Sequence, residues 1–248
     1  MGLPVVTVVS GGLPIVESTV GGTPVTEAAN GRGLPVTKVV GKPGLPVVFE
    51  TIGVGAPVTY AALNGTPSHT TLSNGNLTAT HADTFGNAGA RSASVKTMGK
   101  YYFEAVYGAI PDNGDGIGIM QNASAFSDPI ALGTNSSLAF GTGLIYSNDI
   151  NQVGGGIGAF TTGSKLAAAI DFDNARCWFR RDGGIWNNSG TANPATNTGG
   201  FILKTPGVGY VPFIGFTANG VGHQATFNFG STAFVYLVPA GFTSGWPA

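Results

Sequence analysis

Two carboxylates facing one cleft are the minimum for hydrolysing a glycosidic bond, one as acid and one as base or nucleophile. On a strand, acids two residues apart share a face, and Asp171 and Asp173 have that spacing. They stand at the end of a β-prone run, however, where a reversing chain uses Asp and Asn as turn residues. Of the four glutamates only Glu104 lies beyond the first sixty residues, alone on its run, and it reads as an edge or surface group. Cys177 has no histidine near it in sequence and sits on an expected core strand, as a buried structural thiol does. No Gly-X-Ser-X-Gly elbow occurs. Gly154-Gly155-Gly156-Ile157-Gly158 lacks the helix that a nucleotide loop needs, so it reads as a turn. Asp112-Asn113-Gly114-Asp115-Gly116 resembles half a calcium loop, but Ala123 stands where an EF-hand places its last glutamate. His69, His81 and His223 are far apart and form no metal-ligand spacing. The sequence predicts no enzyme, no cofactor and no metal site.

Binding asks for less. A sugar site needs an aromatic ring to stack on, with Asn, Asp and backbone groups for the hydroxyls. The run from Arg181 to Gly190 offers Trp186, Asn187 and Asn188; Tyr146 with Asn148, and Asp112 with Asp115, offer similar sets. These seven are the candidate ligand-binding residues. Trp186 could instead be a packing aromatic over one end of the fold, and Trp246 is expected to seal the core.

The elements that must carry these groups are β. Charged residues are 9% of the 248, against about 25% in an average soluble domain. There are 41 glycines and 15 prolines, with 42% hydrophobic residues, enough for an ordinary core. A net charge of −1 is too balanced for a general nucleic-acid binder. No apolar run approaches the roughly 18 residues of a membrane span, and no secretory signal is visible at the N-terminus. One cysteine excludes an intramolecular disulfide framework.

Residues 1–62 read as a repeat arm. Prolines recur at 4, 14, 24, 35, 46 and 57, each in a Gly-X-Pro start followed by a β-prone run such as Val5-Val6-Thr7-Val8-Val9. Proline fixes φ and lacks a donor, so it belongs at a strand start or edge, and its recurrence excludes a helix. Units this short bury nothing alone and must pair with one another, with sister chains or with a partner surface. Fully extended, the arm would span on the order of 180 Å. Leu3, Pro4, Leu13, Pro14, Pro24, Leu34, Pro35, Leu45 and Pro46 are the expected attachment and oligomerisation residues. The Val and Ile content is too high for a solvated linker.

Residues 63–248 show short alternating runs broken by Gly, Asn, Asp and Ser, the mark of an antiparallel sandwich. Candidate strands are 77–80, 101–106, 117–120, 138–140, 144–146, 165–171, 175–181, 211–217, 224–229 and 235–237. In 165–171, Leu166, Ala168 and Ile170 share one face and Ala167 and Ala169 the other, where small residues suggest close sheet stacking. Cys177 and Phe179 share a face opposite Trp178 and Arg180, and Asp173-Asn174 sits where the hairpin needs positive φ.

Five motifs in order carry a resemblance. Gly99-Lys100-Tyr101-Tyr102-Phe103-Glu104-Ala105 resembles the strand that opens a SPRY domain, and Ile117-Gly118-Ile119 its next core strand. Lys165 to Asp173 followed by Cys177-Trp178-Phe179-Arg180-Arg181-Asp182-Gly183 is similar to the central hairpin. Tyr210 to Gly215, and Ala225 to Gly230 with Pro239-Ala240-Gly241-Phe242, are similar to the later strands and tail. Leu72 to Leu77 is similar to an opening strand of phage-type members. The resemblance covers about residues 63–247. It implies a concanavalin-like sandwich of two antiparallel sheets that binds without catalysing. The Gly-Leu-Pro-Val arm ahead of it resembles structural proteins of tailed phages or phage-like particles. The expectation is therefore a virion protein, a fibre or capsid decoration. Its arm would engage other virion proteins or sister chains, as a homotrimeric shaft or by strand addition across capsid subunits. Its sandwich would face outward as an adhesin for host-surface glycan or protein, or reinforce the particle. A polysaccharide-degrading enzyme on the same scaffold is the alternative; an intracellular peptide-binding adaptor fits the repeats poorly.

Overall fold

A computed structural model describes residues 58–86, 88–109, 113–126, 135–147, 150–151, 156–217 and 220–248, with four strands of the arm. The chain divides into two compact units, Met1–Val58 and Thr59–Ala248. In the first, β1 (Val16–Val20) pairs antiparallel with β2 (Thr23–Glu27), and β3 (Thr37–Val40) with β4 (Val48–Thr51). Each strand is the β-prone run of a different repeat, and Pro24 is the second residue of β2. Leu3, Pro4, Leu13, Pro14, Leu34, Pro35, Leu45 and Pro46 lie outside the described residues.

The second unit is an antiparallel sandwich. Its strands are β5 (Gly65–Ser68), β6 (Thr70–Ser73), β7 (Thr78–His81), β8 (Ala88–Arg91), β9 (Lys100–Tyr107), β10 (Gly116–Gln121) and β11 (Ser136–Phe140). Then come β12 (Ile145–Ser147), β13 (Ile150–Asn151), β14 (Lys165–Asp171), β15 (Arg176–Arg181), β16 (Phe201–Ile202), β17 (Tyr210–Phe216) and β18 (Gln224–Asn228). One sheet runs β13-β12-β11-β10-β17-β8-β5 and the other β16-β15-β14-β9-β18-β7-β6. Two antiparallel sheets with an apolar layer between them are the concanavalin-like architecture that the motifs imply.

Period-2 alternation fills that layer. Phe103, Ala105 and Tyr107 of β9, Leu166, Ala168 and Ile170 of β14, and Cys177 and Phe179 of β15 meet Ile117, Ile119, Ile214 and Phe216 of the facing sheet. Ala167 and Ala169 do not lie where the sheets stack. They face outward with Tyr102 and Trp178, under Trp186, Phe234, Tyr236, Val238 and Phe242. Their small size makes room for aromatic rings rather than for a second sheet. The run 235–237 is not a strand. It belongs to a strap over this outer face, and its backbone is held by a side chain instead of a ladder.

Trp246 is fully buried against Tyr101, Phe103 and Phe172, with its indole N–H donating to Ser94 O at 2.9 Å. Ala61 N–H donates to Trp246 O at 2.9 Å, so the end of the unit pins its beginning. At the β14–β15 turn, Ala175 is the left-handed residue (φ 50°), not Asp173 or Asn174. Asp171 dictates this: its Oδ1 accepts Asn174 N–H at 3.0 Å and its Oδ2 accepts the Asn174 side-chain amide at 2.8 Å.

Candidate functional site

The carboxylates that chemistry would need are engaged in structural contacts. Asp171 is buried and paired with Lys100 Nζ at 2.9 Å. Burial pushes its carboxyl up, but Lys100 and the two Asn174 hydrogen bonds outweigh this and hold it below the ordinary range. Asp173 Oδ1 accepts Gly99 N–H at 2.7 Å. The pair braces two turns rather than facing a cleft.

Glu104 is not a surface group. It is buried at the centre of its sheet, beside Tyr102, whose hydroxyl donates to Oε1 at 2.7 Å. Oε1 also accepts Tyr236 N–H at 2.9 Å, and Oε2 accepts Val235 N–H at 2.9 Å. Cys177 is buried, and burial pushes its thiol up to about 12. Among the described residues no group of three or more His, Cys, Asp or Glu could hold a metal.

The five candidate ligand residues that the structure describes do not converge. Asp112 and Asn148 lie outside the described residues. Asp115 is buried, its Oδ1 accepting Thr217 N–H at 3.0 Å and its Oδ2 bonded to His223 Nδ1 at 2.7 Å. Asn187 is buried too: its Oδ1 accepts Phe179 N–H at 2.8 Å and its amide donates to Gly199 O at 2.9 Å. Both are internal fasteners, not groups presented to a ligand. Tyr146 packs edge-on against Phe140, on the outer face of the other sheet, in a cluster with Met120, Leu138, Val211 and Phe213. Asn188 is exposed at φ 50°.

Trp186 belongs to an aromatic constellation at the surface. It begins a short 3₁₀ turn (Trp186–Asn188) after β15, and the Arg180 guanidinium lies 4.3 Å from its ring centre. The same guanidinium lies 5.3 Å from the Tyr236 ring, and Nη2 donates to Leu237 O at 3.2 Å. A cation between two aromatic rings fixes all three planes. Around them stand apolar side chains with little cover: Ile185 at 57%, Val235 at 61% and Leu237 at 90% exposure. The result is an aromatic-cationic shelf on the outer face of the second sheet. Arg180 and Tyr236 were not legible as site residues. The alternation does place Arg180 on the outward face with Trp178, but the strap that brings Tyr236 over it leaves no local signal.

No protein-family model matches the chain, and no curated protein matches it in sequence. Solved structures resemble it in fold. The SPRY domain of human HERC1 is similar over 67% of this chain and 96% of its own, at 15% identity and a TM-score of 0.52. A human SPRY domain is similar over 68% of this chain and 99% of its own, at 15% identity and a TM-score of 0.48. The sandwich thus has a SPRY-like fold.

Proposed function

We propose that this protein is a non-enzymatic structural protein of a phage virion, a fibre or decoration protein. Its Gly-X-Pro arm attaches it to other virion proteins or sister chains. Its sandwich faces outward and binds a host-surface glycan or protein on the shelf of Arg180, Trp186 and Tyr236. One observation carries the binding role: Trp186 and Tyr236 flank Arg180 on the outer face, partly buried against Tyr102 and Trp178, amid exposed Ile185, Val235 and Leu237. Pre-fixed aromatic planes at a surface bind at low entropic cost. The engagement of Glu104, Asp115 and Asp171 in structural hydrogen bonds supports binding over hydrolysis. Six in-register repeats too small to form cores support the attachment role.

The test is retention of the full chain on a panel of immobilised bacterial surface polysaccharides and on intact bacterial cells, beside Trp186→Ala. The expected result is retention on at least one surface, weakened about tenfold or more by the substitution, on the scale of a lost aromatic anchor. Retention on none, or retention indifferent to Trp186→Ala, would overturn the binding role.

A further inference from the structure

Two of the three histidines, His81 and His223, distant in sequence, come together at one end of the sandwich. His81 closes β7 and His223 immediately precedes β18. Their backbones meet, with His81 N–H donating to His223 O at 2.9 Å and Gly222 N–H to His81 O at 2.9 Å. The side chains complete a closed circuit. The His81 ring stacks on Phe216, with centroids 5.3 Å apart and planes 4° from parallel. The next residue, Thr217, donates its N–H to Asp115 Oδ1, and Asp115 Oδ2 holds His223 Nδ1. Both imidazoles therefore abut the same small region between the sheets. Gly220 is part of it, since a Cβ there would lie 1.9 Å from His223 Nδ1.

Each ring has one nitrogen fixed by a hydrogen bond. His81 Nε2 lies 2.9 Å from Phe85 O. A carbonyl only accepts, so Nε2 carries the proton and Nδ1 keeps its lone pair. That Nδ1 is buried without a hydrogen-bond partner, a state that costs free energy unless something fills it. His223 gives Nδ1 to the Asp115 carboxylate, which leaves Nε2 as its lone-pair nitrogen. A histidine whose second nitrogen is held by a carboxylate or a backbone carbonyl is oriented as metal-binding histidines are.

We propose that His81 Nδ1 and His223 Nε2 are the two protein ligands of a divalent transition-metal site, with water completing the coordination. Imidazole nitrogen selects zinc, copper or nickel over magnesium or calcium. His69 stands apart from the site: its Nδ1 is paired with Asp83 at 2.8 Å, and both side chains are about four-tenths exposed.

The test uses the untagged full chain, with Zn²⁺ in equilibrium dialysis and Cu²⁺ in electron paramagnetic resonance. One equivalent of Zn²⁺ is expected, with a Cu²⁺ spectrum showing coupling to two nitrogens. His223→Gln abolishes both, His69→Ala changes neither, and Asp115→Asn weakens Zn²⁺ binding by about 10–100-fold through loss of the outer partner. Circular dichroism confirms that each variant is folded; if His223→Gln does not fold, His81→Gln serves in its place. No saturable binding, binding that survives the ligand substitution, or binding lost with His69→Ala would overturn the assignment.

Discussion

Glu104 and Tyr236 are 132 positions apart, yet the Glu104 carboxylate accepts the Tyr236 backbone N–H at 2.9 Å. With Val235 N–H on the other oxygen and the Tyr102 hydroxyl on the first, one buried side chain holds the strap that carries Tyr236 over Arg180. Replacing Glu104 by alanine orphans these donors. The expected cost is about 3 kcal/mol, since each unsatisfied buried group costs roughly 1–3. Chemical denaturation measures the loss, and hydrogen exchange at Val235 and Tyr236 should quicken beyond the global change. Unchanged exchange there would show that the strap is held by its apolar contacts alone.

Trp246 joins both ends of the sandwich, so Trp246→Ala removes a fully buried ring and the Ser94 bond together. A loss of about 3–5 kcal/mol is expected, typical of emptying such a site. A midpoint close to wild type in urea would contradict the role given to this residue.

Cys177 should be inert in the native state. With its thiol pushed up to about 12 by burial, almost none is thiolate at pH 8, and the sulfur is covered. A thiol reagent should label it only as the chain unfolds. Rapid labelling of folded protein would mean that the β15–β16 edge opens.

Asp171 sets an acid limit. Its carboxyl lies below its ordinary value of 3.8 when folded, so its contribution is present above that value and is lost as pH falls through the depressed one. Stability should therefore decline below about pH 4, and less steeply in Asp171→Asn. Equal pH slopes for the two proteins, read from denaturation midpoints between pH 2 and 5, would assign the acid sensitivity elsewhere.

What the sequence announces is what alternation can encode. β14 was legible to the residue, and β9, β10 and β15 within one, because large apolar residues alternate with others against a flat core. β5, β8 and β16 were not legible: Gly65–Ser68, Ala88–Arg91 and Phe201–Ile202 are too short or too small in side chain for a pattern. Val235–Leu237 has strand composition but no strand partner, because its donors go to Glu104. Contacts of that kind, like Arg180 with Tyr236 or His81 with His223, depend on chain segments brought together only by the topology. Trp186 could be proposed because an aromatic in a loop is a local feature. Asn187 and Asp115 misled because burial of a polar loop residue is not.

The arm is where the account is most directly tested. Light scattering after gel filtration would give the solution mass of the full chain beside a fragment beginning at Thr59, which carries the whole sandwich core. The account predicts a homotrimeric full chain and a folded, monomeric fragment, so that the repeats alone assemble. A full chain no larger in assembly state than the fragment would contradict the self-assembling shaft and leave a partner surface as the arm's only support.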